Sequence, residues 1–322
     1  MDVLWLLIGL VVLIFSGDYL VKGAVGIAEK FKISPLVIGM TVVSFGTSAP
    51  ELFVSIKAAM DGSPDLAIGN VIGSNIANIA LVLSITVLIF PIVVDRNSKI
   101  IDWPMMIFAS ILFYVFAMDG IISPLEGGIL VTLLLIFTVL LIRNSRKLNL
   151  QMEDDVDGLP TNMPLTILFL LGGLIGLKFG ADWFVEGAKG VAKTLGMSDK
   201  VIGVTVVAFG TSVPELVASG VAAFRHQTDI SLGNLVGSNI FNIMIVIGIT
   251  SLIMPISVNP SVMALDLTSS PKLFGDMYWM LGISFALWPM MFIGKKMGRV
   301  HGLILLTAYI SYIIISLQSI AN

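Results

Sequence analysis

Cysteine is absent from the 322 residues, which excludes disulfides, thiolate nucleophiles and thiolate metal sites and leaves the redox compartment unread. Histidine occurs only as His226 and His301, both expected in loops, too few for an imidazole-built zinc or copper centre. Charge is scarce as well. Asp, Glu, Lys and Arg make up 12% of the chain, against roughly 25% in a soluble domain. The net charge of −3 gives no ground for nucleic-acid binding. No stretch outside the apolar segments is long enough for a soluble domain, and Met1-Asp2-Val3-Leu4 lacks the positive start of a cleaved signal peptide, so the first segment is expected to be a retained helix.

What remains is apolar: 57% hydrophobic residues and a mean hydropathy of +1.00. A membrane span needs about 20 mostly apolar residues, and ten such segments can be placed, near 3–28, 34–59, 66–91, 103–118, 124–142, 164–192, 198–224, 230–255, 275–294 and 300–320. The most polar stretch, 143–163, separates residues 1–142 from 164–322 and carries Arg143, Arg146, Lys147 and Glu153-Asp154-Asp155; it is expected to be a solvated linker. Residues 256–272 form a second polar loop, beside Pro255 and with Pro260 and Pro271.

One stretch occurs twice. Residues 39–52, Gly-Met-Thr-Val-Val-Ser-Phe-Gly-Thr-Ser-Ala-Pro-Glu-Leu, return 164 positions later as Gly-Val-Thr-Val-Val-Ala-Phe-Gly-Thr-Ser-Val-Pro-Glu-Leu at 203–216. The offset persists through Gly69-Asn70, Gly73-Ser74-Asn75-Ile76 and Asn78, which recur as Gly233-Asn234, Gly237-Ser238-Asn239-Ile240 and Asn242. Five spans per copy is an odd number, so the second copy must enter the bilayer in the opposite sense, the inverted-repeat plan of secondary transporters. The expected fold is therefore an all-α membrane protein of ten transmembrane helices, arranged as two inverted five-helix repeats with the second and seventh helices broken at the core. Placing both termini outside puts Lys30, Lys32, Arg96, Lys99, Arg143, Arg146, Lys147, Arg225, Lys295, Lys296 and Arg299 on the cytoplasmic side, against Lys189, Lys193, Lys200 and Lys272 opposite. That orientation satisfies the positive-inside rule.

Each copy sets a carboxylate, hydroxyls, Gly and Pro inside an apolar span, which is costly in lipid. Pro50 cannot donate to the carbonyl of Gly46, and Pro214 repeats the arrangement with Gly210, so both helices are expected to break there. A lone proline kink serves packing as readily as function; two in matching positions, each followed at once by Glu, favour a site. Thr47 and Glu51 share a face of a resumed helix. Asn70, Ser74 and Asn78, spaced by four, form a polar stripe that Asn234, Ser238 and Asn242 mirror. Such stripes also serve helix packing through small residues, and Gly69 and Gly73 are expected to pack closely while the oxygens face the site. Glu51 and Glu215 are the acids near mid-span in both copies, surrounded by hydroxyl, amide and carbonyl oxygens. An all-oxygen set suits hard cations such as Ca²⁺. Two carboxylates can be balanced by one divalent ion or in part by several Na⁺ or H⁺, and competition for that shared charge is the physical basis of antiport.

At these residues the sequence resembles the sodium/calcium exchangers of the cation/calcium antiporter superfamily, in their prokaryotic form. The resemblance covers nearly the whole chain, with the two α-repeats at about 34–91 and 198–255. It implies a Ca²⁺ site made by Glu51 and Glu215 with the backbone carbonyls of Thr47 and Thr211. It implies flanking Na⁺ sites from Ser48, Ser74, Ser212 and Ser238 with backbone at Ser44 and Ala208, and a centre lined by Asn78 and Asn242. It further implies that the first and sixth helices slide across the core during alternating access, in the cell (inner) membrane, with no catalysis, no cofactor and no obligate protein partner. Relatives that also move K⁺ carry Asp at the position of Asn242, and proton-coupled members typically have Asn in place of Thr47-Ser48 or Thr211-Ser212; both departures favour Na⁺ alone. The stretch 143–160 is too short for the Ca²⁺-sensing domains of animal exchangers.

Three other readings stay open on the residues. An H⁺-coupled divalent-cation antiporter would use Glu51 and Glu215 as proton carriers. A passive cation channel would use them as a filter, although an inverted internal repeat fits that poorly. An intramembrane hydrolase would need the acids beside a water-filled cleft, and no HExxH supports it. Asp18 and Asp182, a second matched acidic pair, either guide cations at a cavity mouth or are paired locally, Asp18 with Lys22. Asp119, Glu126, Asp266 and Asp276 are expected to be ordinary loop acids.

Overall fold

The computed structural model describes residues 1–94, 96–147, 158–160, 162–197, 202, 208–263, 275–293 and 296–321. The acidic run of the linker, residues 203–207 of the second motif, and Lys200, Asp266, Pro271, Lys272 and Lys295 lie outside them. In chain order the helices are α1 (Asp2–Phe31), α2 (Pro35–Thr47), α3 (Ala49–Met60), α4 (Pro64–Ile89), α5 (Ser98–Ala117), α6 (Pro124–Lys147), α7 (Met163–Thr194), α8 (Ala208–Thr211), α9 (Val213–Phe224), α10 (Thr228–Ile253), α11 (Asp276–Phe292) and α12 (Arg299–Ala321). Among the described residues seven helices are long and apolar enough to cross a membrane, and α2 with α3 makes one broken span more. The chain is an integral, mostly helical membrane protein. α11, at 17 residues, is just shorter than a full span, and the seventh expected span falls partly outside the described residues.

The chain divides into two compact units, Met1–Thr47 with Leu141–Asn234, and Ser48–Leu140 with Leu235–Asn322. In the first, α1 and α7 lie against each other along their length. Their contacts show the direction: Gly9 abuts Phe184 while Gly23 abuts Leu170, so the helices run antiparallel. A Cβ at Gly23 would stand 2.5 Å from the Leu170 nitrogen. Glycine permits an approach that any side chain would block. The pattern also maps onto itself. Gly173 and Leu20, the counterparts of Gly9 and Phe184, make the same contact, with a Cβ at Gly173 2.6 Å from the Leu20 nitrogen. α1 ends with Lys32 in the left-handed region (φ 54°), and Ser34 then opens α2 as an N-cap that accepts from the Val37 N–H.

In the second unit α4 is the buried centre, with Ile68, Ile72, Ile76 and Leu83 fully enclosed. An apolar 18-residue window of α4 is 78% buried, whereas that of α12 is 11% buried, although α12 packs on α4 along one side. The Trp103 indole N–H donates to the Ser284 carbonyl at 2.9 Å and ties α5 to α11. Two small antiparallel ladders, unforeseen in an all-α reading, complete this unit. β1 (Ile92–Val93) pairs with β4 (Lys296–Met297), and β2 (Ile121–Ile122) pairs with β3 (Ile256–Ser257). Each satisfies backbone groups of loops that link spans. β1 and β3 stand 164 residues apart.

Candidate cation-binding site

The helical ladder stops at Ser48, whose φ of −87° and ψ of 1° leave the helical region, and α3 begins one residue later. Pro50 therefore sits in the first turn of a new helix, where its missing N–H would have had no partner in any case. The break is real, but its seat is Ser48; the proline permits the restart instead of forcing a kink. Ser212 (φ −93°, ψ 2°) and Pro214 repeat this at α9, and the Leu216 N–H donates to the Ser212 carbonyl at 3.0 Å. Glu51 and Glu215 thus both fall in the first turn of a helix, where the backbone dipole favours negative charge.

Ser48-Ala-Pro-Glu51 has the spacing of a capping box, in which Ser and Glu close reciprocally on two backbone N–H groups. Ser123-Pro-Leu-Glu126 has the same spacing and closes. The Ser123 N–H donates to Glu126 Oε2 at 2.7 Å, and the Glu126 N–H donates to Ser123 Oγ at 3.4 Å. At Ser48 the box stays open: Ser48 Oγ and Glu51 Oε2 have no hydrogen-bond partner, and the two residues are 3% and 2% exposed. Ser212 Oγ is likewise buried without a hydrogen bond. A buried acceptor left unsatisfied costs about 1–3 kcal/mol, so oxygens held open at a helix start invite a positively charged occupant.

The residues around them fall into two groups, one in each unit. In the first unit Ser44 is fully buried, its Oγ 2.8 Å from the Gly39 carbonyl and 3.0 Å from that of Asn234. Thr47 donates to Asn234 Oδ1 at 3.2 Å, and Asn234 Nδ2 donates to Ser219 Oγ at 2.9 Å. The turn 44–47 packs on α9, which carries buried Ser212 and Glu215. Thr211, half-buried, and Ala208 lie on the short α8, which packs on α7 and α9. In the second unit α3 with Ser48 and Glu51, α4 with Ser74 and Asn78, and the part of α10 with Asn242 pack against one another, and Ser238 is buried one turn before Asn242. Asn70 turns its amide away from the expected stripe. Its Nδ2 donates to Ser55 Oγ at 3.0 Å and to the Glu51 carbonyl at 3.2 Å, bracing the helix of Glu51. The Asn70–Ser55 bond is the counterpart of Asn234–Ser219.

Asn78 and Asn242 each open a π-helical stretch, at Asn78–Leu83 and Asn242–Ile247. Such wide turns are rare and frequent at functional sites; nothing in residue type announced them. Both amide atoms of Asn78 and the oxygen of Asn242 are buried without hydrogen bonds. The expected close packing at Gly69 and Gly73 does not occur among the described residues, where a Cβ would meet nothing within 4 Å, while Gly233 abuts the Leu36 carbonyl.

The second acidic pair is paired locally. Asp18 bonds Lys22 at 2.9 Å and also Arg225 at the end of α9, and Asp182 bonds Lys178. Asp119 accepts the Ile121 N–H in a turn at 3.1 Å. His226 is exposed beyond α9, whereas His301 lies within the first turn of α12 and accepts the Gly298 N–H at 3.2 Å, so only the former is a loop residue. Among the described residues no three His, Asp or Glu side chains converge, so the hydroxyl, amide and backbone oxygens make up most of the candidate ligand set.

The family model described as "Sodium/calcium exchanger protein" matches residues 1–143 and 165–318. The chain is 37% identical over 317 residues to the putative antiporter CaxA of Alkalimonas amylolytica, covering 96% of each. It is 33% identical over 351 residues to the sodium/calcium exchanger MaX1 of Methanosarcina acetivorans, covering 96% of this chain and 97% of that one. A solved structure of the sodium-calcium exchanger NCX_Mj, soaked with 2.5 mM Na⁺ and 0.1 mM Ca²⁺, superposes with a TM-score of 0.80 at 35% identity over 97% of both chains.

Proposed function

Because the chain belongs to the sodium/calcium exchanger protein family, we propose that it exchanges Na⁺ for Ca²⁺ across the cell membrane by alternating access, the two ions competing for Glu51 and Glu215. Ca²⁺ is held by these carboxylates with the backbone carbonyls of Thr47 and Thr211. Na⁺ takes the hydroxyls of Ser48, Ser74, Ser212 and Ser238 with backbone at Ser44 and Ala208, and Asn78 and Asn242 line the centre. The observation that carries this reading is the open capping pair, Ser48 and Glu51, whose Oγ and Oε2 are buried without a hydrogen bond while the same pair closes at Ser123 and Glu126. The ions are substrates; the reading requires no cofactor and no protein partner besides the bilayer.

The ten-span plan, with halves 1–142 and 164–322 inverted about a cytoplasmic linker and both termini outside, is part of the proposal. The antiparallel course of α1 and α7, whose glycine contacts map onto each other by the repeat offset, supports it. A second reading, H⁺-coupled Ca²⁺ exchange, draws on the burial of Glu51, since a carboxyl enclosed to 2% exposure can carry a proton as its balancing charge.

Ca²⁺ uptake into proteoliposomes, driven in turn by an outward Na⁺ gradient and by an H⁺ gradient, separates the two. Na⁺-driven uptake that responds to membrane potential and is lost in Glu51→Gln and Glu215→Gln is the expected result. Uptake driven by H⁺ alone selects the second reading, and uncoupled flux defeats both.

A further inference from the structure

Next to Asn242 lie two amides that the cation reading does not use. Asn75 is 1% exposed, and its Nδ2 donates to the backbone carbonyl of Asn239 at 3.3 Å, with Met280 Sδ at 3.7 Å. Its Oδ1 accepts from Asn242 Nδ2 at 3.0 Å. Asn239 turns its own amide back to the Leu235 carbonyl at 2.7 Å.

We infer that Asn75 is a positioning residue that fixes which end of the Asn242 amide faces the cation, the juxtaposition being Asn239 carbonyl, Asn75 amide and Asn242 amide in series. This rests on the proposed cation site. A backbone carbonyl can only accept, so the amide nitrogen of Asn75 must be the atom beside Asn239. The Asn75 oxygen then points the other way and must receive a donor, which draws the nitrogen of Asn242 toward it. The Asn242 oxygen is left on the far side, and it is a buried acceptor without a hydrogen bond. An amide free to rotate by half a turn would as readily offer N–H groups, the positive end of its dipole, to a cation. Here the polarity is set two residues away by an atom that cannot reverse.

Asn75 does not touch the ion in this scheme, so the test must separate orientation from packing. The full chain in detergent is titrated with CaCl₂ alone, following the cation-induced rise in Tm, for the wild type, Asn75→Leu, Asn75→Asp, Asn242→Leu and the double Leu variant. Asn75→Leu is expected to raise the half-saturating Ca²⁺ by about 10-fold, roughly the effect of one misplaced neutral ligand. Asn75→Asp keeps the acceptor and should stay within about 3-fold of wild type. The double Leu variant should bind no worse than Asn242→Leu, because both act through one oxygen. Multiplying losses in the double variant would overturn the inference, as would an Asn75→Asp loss equal to that of Asn75→Leu. If Asn75→Leu fails to fold, Asn75→Asp decides: weakening beyond 10-fold with an unchanged ion-free Tm overturns the inference. Failure of the Na⁺ reading is seen separately, in the wild-type flux assay, since Ca²⁺ titration judges Asn75 under Na⁺ or H⁺ coupling alike. A wild type that gains no Tm from Ca²⁺ removes the site and the inference together.

Discussion

The hydroxyls of Tyr114 and Tyr278 lie 3.3 Å apart, and these residues are separated by 164 positions, the offset between the two copies of the motif. Asn75 and Asn239 also meet and are also 164 apart. In the proposed inverted-repeat plan a residue meets its own counterpart only on the line about which the two copies exchange places, and both pairs would lie there. The two hydroxyls share this bond. Tyr114→Phe and Tyr278→Phe should therefore each cost about 1 kcal/mol, and the double variant no more than either single. Thermal unfolding of the three variants checks this; additive losses would mean separate partners.

Ser48 and Ser123 occupy the same sequence pattern with opposite outcomes. Ser123→Ala removes a closed cap and should destabilise by about 1 kcal/mol with transport unchanged. Ser48→Ala removes no cap bond, so its Tm should hold while the Na⁺ concentration for half-maximal exchange rises several-fold. The pair of measurements, Tm and Na⁺ dependence, should split between the two variants.

The contact of α1 with α7 tolerates no side chain at its glycines. Gly23→Ala drives a methyl into the Leu170 backbone and should cost about 1–3 kcal/mol. Gly172, where a Cβ would meet nothing within 4 Å, is the control; Gly172→Ala should match or slightly exceed wild-type stability, because alanine favours the helix. Equal losses at both positions would place the cost outside this contact.

Absence of cysteine makes topology directly measurable. Single cysteines at Asp119 and Asp154 should label from opposite sides of right-side-out vesicles with a membrane-impermeant maleimide. Asp119→Cys should react from outside and Asp154→Cys only after permeabilisation. Reversed labelling would invert the orientation assigned from Lys and Arg placement.

The candidate residues were legible because their signal is chemical: carboxylates and hydroxyls in apolar spans stand out by type, and they recur at one offset. Backbone conformation was less so. Pro50 pointed to a break but misplaced its cause, since a proline in a first turn and one in a helix interior look alike until Ser48 is seen to leave the helical region. The π-helical turns at Asn78 and Asn242 depend on how spans pack and have no composition of their own. By type and spacing Asn70 belongs to a polar stripe with Ser74 and Asn78, and Asn75 only to the repeated Gly-Ser-Asn segment. Only the acceptors around them, Ser55 Oγ and the Asn239 carbonyl, show that they brace and orient their neighbours. The two-residue strands were invisible, because Ile92–Val93 and Ile121–Ile122 at span ends read as membrane and their partners have no strand pattern.

Those strands bear on the order of synthesis. β1, at residues 92–93, finds its partner at 296–297. At about 5–20 residues per second the ribosome delivers that partner some 10–40 s later. Until then the edge at Ile92 has no mate, so the loop after α4 stays unstitched for most of the time the chain is being made. A nascent chain halted before Lys296 should expose this loop to protease, and synthesis past Met297 should close it.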